Sequence, residues 1–300
     1  MLLKMTLMLC GILIKTDYKQ LNRFVMKTKL LIIAGLIGVC CLISCKKEGM
    51  DNHGNSNVDG DKTEDTLSEL EEVDDVCTKM DDINFMKYCY DNFDVNKDGK
   101  VSMYEANAVK GIVDYDNIFS KVVSFAGIEY FSNLERFSLG YEYNSNIDVK
   151  TLDLRYNKNL QHCSIRYASK LSSLDLRCNI KLKYISIQWC SGLQSIYLPK
   201  SIESIPVAAF DGCNNLAIVD MSQCVNLKEI DGHNGYGNYT FSSEVLEEFS
   251  IGAVVPPVVN NGHVFKSWNN PILRVPTTSI EEYKNSQWKH YFTEIISIEE

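Results

Sequence analysis

Apolar residues recur through the second half of the chain in a fixed cadence. The triplets Val149, Leu152, Leu154; Leu160, Cys163, Ile165; Leu171, Leu174, Leu176; Leu182, Ile185, Ile187; and Leu193, Ile196, Leu198 share the spacing L-x-x-L-x-L and advance by 11 residues. Leu134, Phe137 and Leu139 precede them in the same form, and Leu216, Val219 and Met221 follow. Residues two apart on an extended chain share a face, so each triplet predicts a short half-buried strand. Two triplets make a coil of 22 residues. Such a coil buries its apolar face only against its neighbours, and the pattern therefore predicts a strand-rich solenoid.

The period changes upstream. In residues 81–93, Phe85, Cys89 and Phe93 recur every four positions, one face of a helix. A second helix is expected to open at Ser102 and Glu105, which stand in capping-box spacing, and to close near Gly111 with Val109 and Ile112 on its apolar side. The first solenoid coil, around Phe125, Ile128 and Phe131, is the expected partner of that apolar surface.

Between the two helices lies DVNKDGKVSMYE, residues 94–105. Oxygen-bearing side chains stand at its first, third, fifth, ninth and twelfth positions, and a glycine at the sixth. This is the loop pattern of the EF-hand, and the helix–loop–helix resembles one. The resemblance implies a calcium ion held by side-chain oxygens of Asp94, Asn96 and Asp98, the backbone carbonyl of Lys100, a water-bridged Ser102 and a bidentate Glu105. Gly99 would take the sharp turn. With Lys97 and Lys100 beside the carboxylates and no second loop to pair with Val101, the affinity expected is weak, roughly 10⁻⁴ to 10⁻³ M.

The N-terminus reads as an address. Met26-Lys-Thr-Lys is followed by 14 apolar residues, 30–43, and then by Ser44 and Cys45. That run is short of the roughly 20 residues a membrane span needs and suits a signal peptide. The sequence LISC resembles the lipobox of bacterial lipoproteins, which implies that Cys45 becomes the lipid-bearing first residue of the mature protein. Residues 1–25 are read as lying upstream of the true start. The expected organisation is 1–45 signal peptide with lipobox, 46–80 acidic tether, 81–113 EF-hand, 114–252 leucine-rich-repeat solenoid and 253–300 C-terminal repeat and cap. The fold class expected is α+β, a short helix–loop–helix capping a β-rich solenoid.

Composition narrows the function. Residues 48–75 carry eleven acidic side chains and one lysine, too little apolar surface to offset ordering entropy. The net charge of −9 and the lack of a basic patch argue against nucleic acid. The five histidines, His53, His162, His233, His263 and His290, are scattered, and no nucleophile elbow, phosphate loop or zinc spacing is present. The chain is read as a binding protein and not as an enzyme, a glycosidase being the least favoured class. Cys163, Cys190, Cys213 and Cys224 fall at inward or bend positions and are expected as buried thiols, while Cys77 and Cys89 are a candidate pair.

At the bends, Asn157, Asn179, Cys190 and Cys224 stand where leucine-rich repeats place hydrogen-bonding residues, whereas Ala168 and Ser201 interrupt the series. Residues 202–221, IESIPVAAFDGCNNLAIVDM, resemble the BspA-like repeats of bacterial surface proteins, as does the ending, in which Tyr283 and Trp288 would close the solenoid. That likeness covers residues 122–298 and implies the fold, not an activity, while the lipobox resemblance implies a lipid-anchored protein of the bacterial cell envelope, at the outer membrane or cell surface. On one face, residues 22 apart stack Asp153 on Asp175 and Arg155 on Arg177 as solvated ion pairs. On the other, Tyr141, Tyr167 and Trp189 form a column suited either to an extracellular protein or glycan or to packing on one another or against a loop. The alternative is an assembly component with no dedicated ligand.

Overall fold

The computed structural model describes residues 69–141, 145–233, 239–266 and 271–299, all within one compact unit, Glu69–Glu300. The lipobox, Cys45 and most of the tether lie outside the described residues. No helix among those described is long and apolar enough to cross a membrane.

Thirteen strands are described, and every pairing among them is parallel. A first sheet runs β1 (Gly111–Val113), β2 (Arg136–Leu139), β3 (His162–Arg166) and β5 (Tyr184–Gln188). A second runs β4 (Ser173–Asp175), β6 (Ser195–Tyr197), β8 (Ile218–Met221), β10 (Glu248–Ile251), β12 (Ile272–Val275) and β13 (Glu294–Ser297). Short strands β7 (Ser204–Ile205), β9 (Glu229–Asp231) and β11 (Val258–Asn260) make a third. The chain thus winds as a β-solenoid with one strand-bearing side at its N-terminal end, a second from β4 onward and a third from β7 onward. The register is the one the 22-residue period demands: Cys163 pairs with Ile185, Ile165 with Ile187, and Leu174 with Ile196.

Every apolar triplet read from the sequence points inward, and no member is more than 9% exposed. The Val149–Leu152–Leu154 triplet is buried without being a strand. At the bends, side chains bind the carbonyls that the strands leave unpaired. Asn157 Nδ2 donates to Ile128 and Phe131 O, and Asn179 Nδ2 to Leu154 and Asn157 O. Thiols continue the series, Cys190 to Ile165 O, Cys213 to Ile187 O and Cys224 to Pro199 O. Ser201 does not interrupt it, because its hydroxyl donates to Leu182 O at 2.8 Å. Ala168, which has no polar atom, does.

Helix α1 (Ile83–Phe93) is opened by Asp82, whose Oδ1 accepts from the amides of Asn84 and Phe85. Its Oδ2 accepts from Val123 and Ser124, so one carboxylate ties the helix to the first coil. Phe85 then packs on Phe125 at 4.8 Å and Phe93 on Phe131 at 5.5 Å, the contacts the sequence predicts. Helix α2 (Met103–Ala108) carries the expected capping box between Ser102 and Glu105.

Two boundaries differ from expectation. α2 stops at Ala108, and Ile112, expected on this helix, sits in β1 opposite Phe137. The β-branched run Ile112-Val113 finds a sheet edge within reach and joins it. Order also begins before residue 81. Residues 76–79 form a 3-10 turn with Val76 and Cys77 fully buried, and Asp75 caps it. The acidic composition hid these few apolar anchors.

At the other end, α3 (Ile280–Lys284) and a following 3-10 turn bury Tyr283 and Trp288 completely. Tyr283 Oη donates to Ala253 O and Trp288 Nε1 to Pro257 O, so both rings are fixed at their polar tips as well as their faces.

Candidate functional site

Two places bring sequence-singled residues together, the loop at residues 94–105 and the aromatic side of the first sheet. In the loop, Gly99 takes φ +86° and Lys97 φ +61°. Asp94 Oδ2 accepts from Gly99 N, Asn96 Oδ1 from Asp98 N, and Asp98 Oδ1 from Lys100 N, all at 3.0 Å. Asp94 Oδ1 is buried with no hydrogen-bond partner. A buried carboxylate oxygen left without a donor is costly, and this one lies on the first ligand position of the pattern.

Glu105 is engaged otherwise. Oε1 accepts from the amides of Val95 and Asn96, and Oε2 from the amide and hydroxyl of Ser102. Those bonds, led by the Ser102 amide and hydroxyl, hold its carboxyl below the ordinary glutamate value. With Glu105 turned to amides, no cluster of three or more His, Cys, Asp or Glu side chains suited to a metal ion is found among the described residues.

Val101, the eighth loop residue, is not left alone. Val76 N donates to Val101 O at 2.9 Å, and Val101 N donates to Asp75 Oδ1 at 3.1 Å. Lys100 Nζ pairs with Asp74. Asp75 Oδ2 accepts from Tyr90 Oη of α1 at 2.6 Å. A strap assigned by composition to the tether therefore occupies the place a second loop would take. The apolar pair Val76-Cys77 directly after Asp75, an N-cap residue type, was the sequence signal available for it. Cys77 and Cys89 are both free and buried.

Tyr141, Tyr167 and Trp189 continue the paired columns of β2, β3 and β5, Tyr167 and Trp189 one position past their strands' ends and Tyr141 two. Tyr141 is 61% exposed and Trp189 47%, while Tyr167 is half-buried. Tyr167 and Trp189 adopt φ +60° and +58°, a region that bulky L-residues rarely enter. Gly212 stands at the equivalent place one coil later, before bend residue Cys213 as Trp189 stands before Cys190, and takes φ +75°. A Cβ on Gly212 would come within 2.7 Å of Trp189 ring atoms, so the indole lies over this glycine. At the head of the column Tyr115 and Tyr141 approach to 6.4 Å between ring centroids.

The charged columns on the second side differ from the solvated pairs expected. Asp153–Arg155 is a partly exposed fork, but Arg177 is buried, grips Asp175 through Nε and Nη2, and lies 4.7 Å over the Tyr197 ring. This is a structural clamp. His162 stacks on Tyr184 at 4.4 Å, and burial, with Arg136 beside it, holds its pKa below the usual histidine value.

No family model matches the chain, and no curated protein matches it. Among solved structures it is similar to an internalin from Listeria monocytogenes, with 12% identity, coverage of 78% of this chain and 93% of that chain, and a TM-score of 0.21. A likeness that loose carries no argument, and the solenoid rests on the strand register itself.

Proposed function

We propose that the chain is an exported, lipid-anchored protein whose solenoid presents the column Tyr141, Tyr167 and Trp189 to an extracellular protein or glycan, with calcium in the loop at residues 94–105 stiffening its N-terminal end. The observation that carries the binding role is the backbone of the column. Three successive bends on this side, at residues 167, 189 and 212, are left-handed, a conformation that Gly212 supplies without strain. Tyr167 and Trp189 adopt it at a cost of about 1–2 kcal/mol each. Strain held at two successive coils, each with a large aromatic ring, supports a role for the rings themselves. Tyr and Trp are the side chains that anchor partners most often.

For the loop, the donor set supports the calcium reading: all groups are oxygens, the glycine turn is formed, and Asp94 Oδ1 is left without a donor. Asp94, Asn96, Asp98 and the Lys100 carbonyl would hold the ion, with Ser102 and Glu105 at the exit helix. Calcium would supply positive charge to a carboxylate cluster and no chemistry. The anchor rests on the lipobox resemblance at Cys45. Glycan arrays and host-protein pull-downs with wild type and a Tyr167→Ala/Trp189→Ala variant test the binding role, and equal capture by both would sink it. Calorimetric titration with and without Asp94→Ala tests the ion, and metabolic labelling of Cys45→Ala with an alkyne fatty acid tests the lipid.

A further inference from the structure

A cleft of about 590 Å³ opens between α1 and the outer face of the first sheet. Tyr88 and Asn92 of α1 form one wall, and Tyr115, Asp116 and Ile118 a second. Its floor is Gly111, Arg136 and His162 on β1, β2 and β3. None of these residues belongs to the column or to the calcium loop.

Gly111 is the telling residue. Its φ lies outside the left-handed region, and an added Cβ would meet only ordinary contacts, 3.7 Å to Val113 Cγ2 and 3.9 Å to Arg136 Cβ. Neither backbone nor packing requires a glycine there. Glycine weakens a strand, and where the chain has no need of it the position marks a close approach by something else. The missing side chain keeps the cleft floor open.

Charge and polarity say what fits. Lys110 at the rim is paired with Glu135 at 3.2 Å. Arg136 and Asp116, of opposite sign, have no side-chain partner among the described residues, nor has Gln161. The lining therefore sums to no net charge, yet offers planar donors and acceptors beside exposed aromatic faces. His162 adds one donor and one acceptor in its neutral form. Tyr115, 61% exposed, joins the cleft to the column through Tyr141.

We propose that this cleft binds a neutral oligosaccharide, hydroxyls meeting Asp116, Arg136 and Gln161 and a sugar face lying on Tyr115, with the chain of sugars continuing onto the aromatic column. The proposal rests on the binding role given to that column and adds to it a second subsite and a ligand class. A charged polymer would find its charge uncompensated here, and an apolar peptide would bury these polar groups without partners.

The test uses the full-length protein and ligand-observed NMR with calorimetry. The probes are neutral gluco-, manno- and galacto-configured hexasaccharides, an oligogalacturonate of equal length and a mixed peptide library. Saturable binding of a neutral probe is expected, weakened about tenfold or more by Gly111→Leu, which fills the floor, and by Tyr115→Ala. Melting temperatures of both variants are read alongside, and should Gly111→Leu unfold, the exposed Tyr115→Ala decides. No binding of any neutral probe at millimolar concentration, or binding of only the acidic sugar or peptides, overturns the proposal. Neutral-probe binding that survives both cleft variants but is lost in Tyr167→Ala/Trp189→Ala also overturns it, while leaving the column's role intact.

Discussion

Replacing Asp75 with alanine should loosen the N-terminal strap and the loop together. Three donors end on this carboxylate: Cys77 N at 3.0 Å, Val101 N at 3.1 Å and Tyr90 Oη at 2.6 Å. The residue is 9% exposed, so water replaces few of these bonds. Hydrogen bonds to a charged group contribute about 1.5 kcal/mol or more each, which puts the loss at roughly 3–5 kcal/mol. Segments open locally before a whole domain does, so the first signature is hydrogen exchange. The Val101 amide should exchange at least about a hundredfold faster, since each 1.4 kcal/mol is tenfold. Amides of β5 and β8 should be unchanged, because coils contact only their neighbours. Asp75→Asn, which keeps an acceptor, should lie between. A residue of a solvated tether shifts stability by less than about 0.5 kcal/mol, and a change that small with Val101 protection intact would refute the strap.

Other sites give independent checks. Burial raises the Asp82 carboxyl, but the amides of Val123, Phe85, Asn84 and Ser124 together bring it below its ordinary value. With the folded value depressed, its stabilisation is present above the unfolded carboxylate's value and lost as pH falls through the folded one, so melting curves below about pH 4 should converge for wild type and Asp82→Asn. Asn179→Leu leaves the buried Leu154 and Asn157 carbonyls without their donor and should cost about 2–4 kcal/mol by denaturant titration. Arg177→Ala strips Asp175 of its guanidinium at a site where the arginine is 4% exposed, and should cost about 3 kcal/mol, whereas Arg155→Ala should cost under 1.

The solenoid was legible because its signal is periodic: Leu174, Ile185, Ile196 and their equivalents repeat a burial pattern that chance does not repeat. Phe85, Phe93 and the capping box were legible for the same local reason. What escaped depended on contacts far apart in sequence. Ile112 reads as helical until Phe137 offers an edge, and Asp75 reads as tether until Val101, 26 residues on, needs an acceptor. The stacking of Tyr141, Tyr167 and Trp189 could be read from the period, but the left-handed backbone of Tyr167 and Trp189 could not. Gly111 reads in the sequence as a helix stop, and its place in a strand under open space could not be read there.

The clasp between Val76 and Val101 also fixes where the fold yields to a pull. Tension applied through the residues ahead of Glu69 reaches the molecule first at exposed ion pairs, Lys79 with Glu71 and Lys100 with Asp74, and then at the Val76–Val101 and Asp75–Val101 hydrogen bonds. These bonds are few, whereas the solenoid strands are joined in parallel ladders. On the anchored reading, a partner tugging on the exposed surface would peel the strap from the loop while every coil stayed wound. On that reading the strap would act as a mechanical fuse, lengthening the protein by a short, reversible step and sparing the solenoid from deformation.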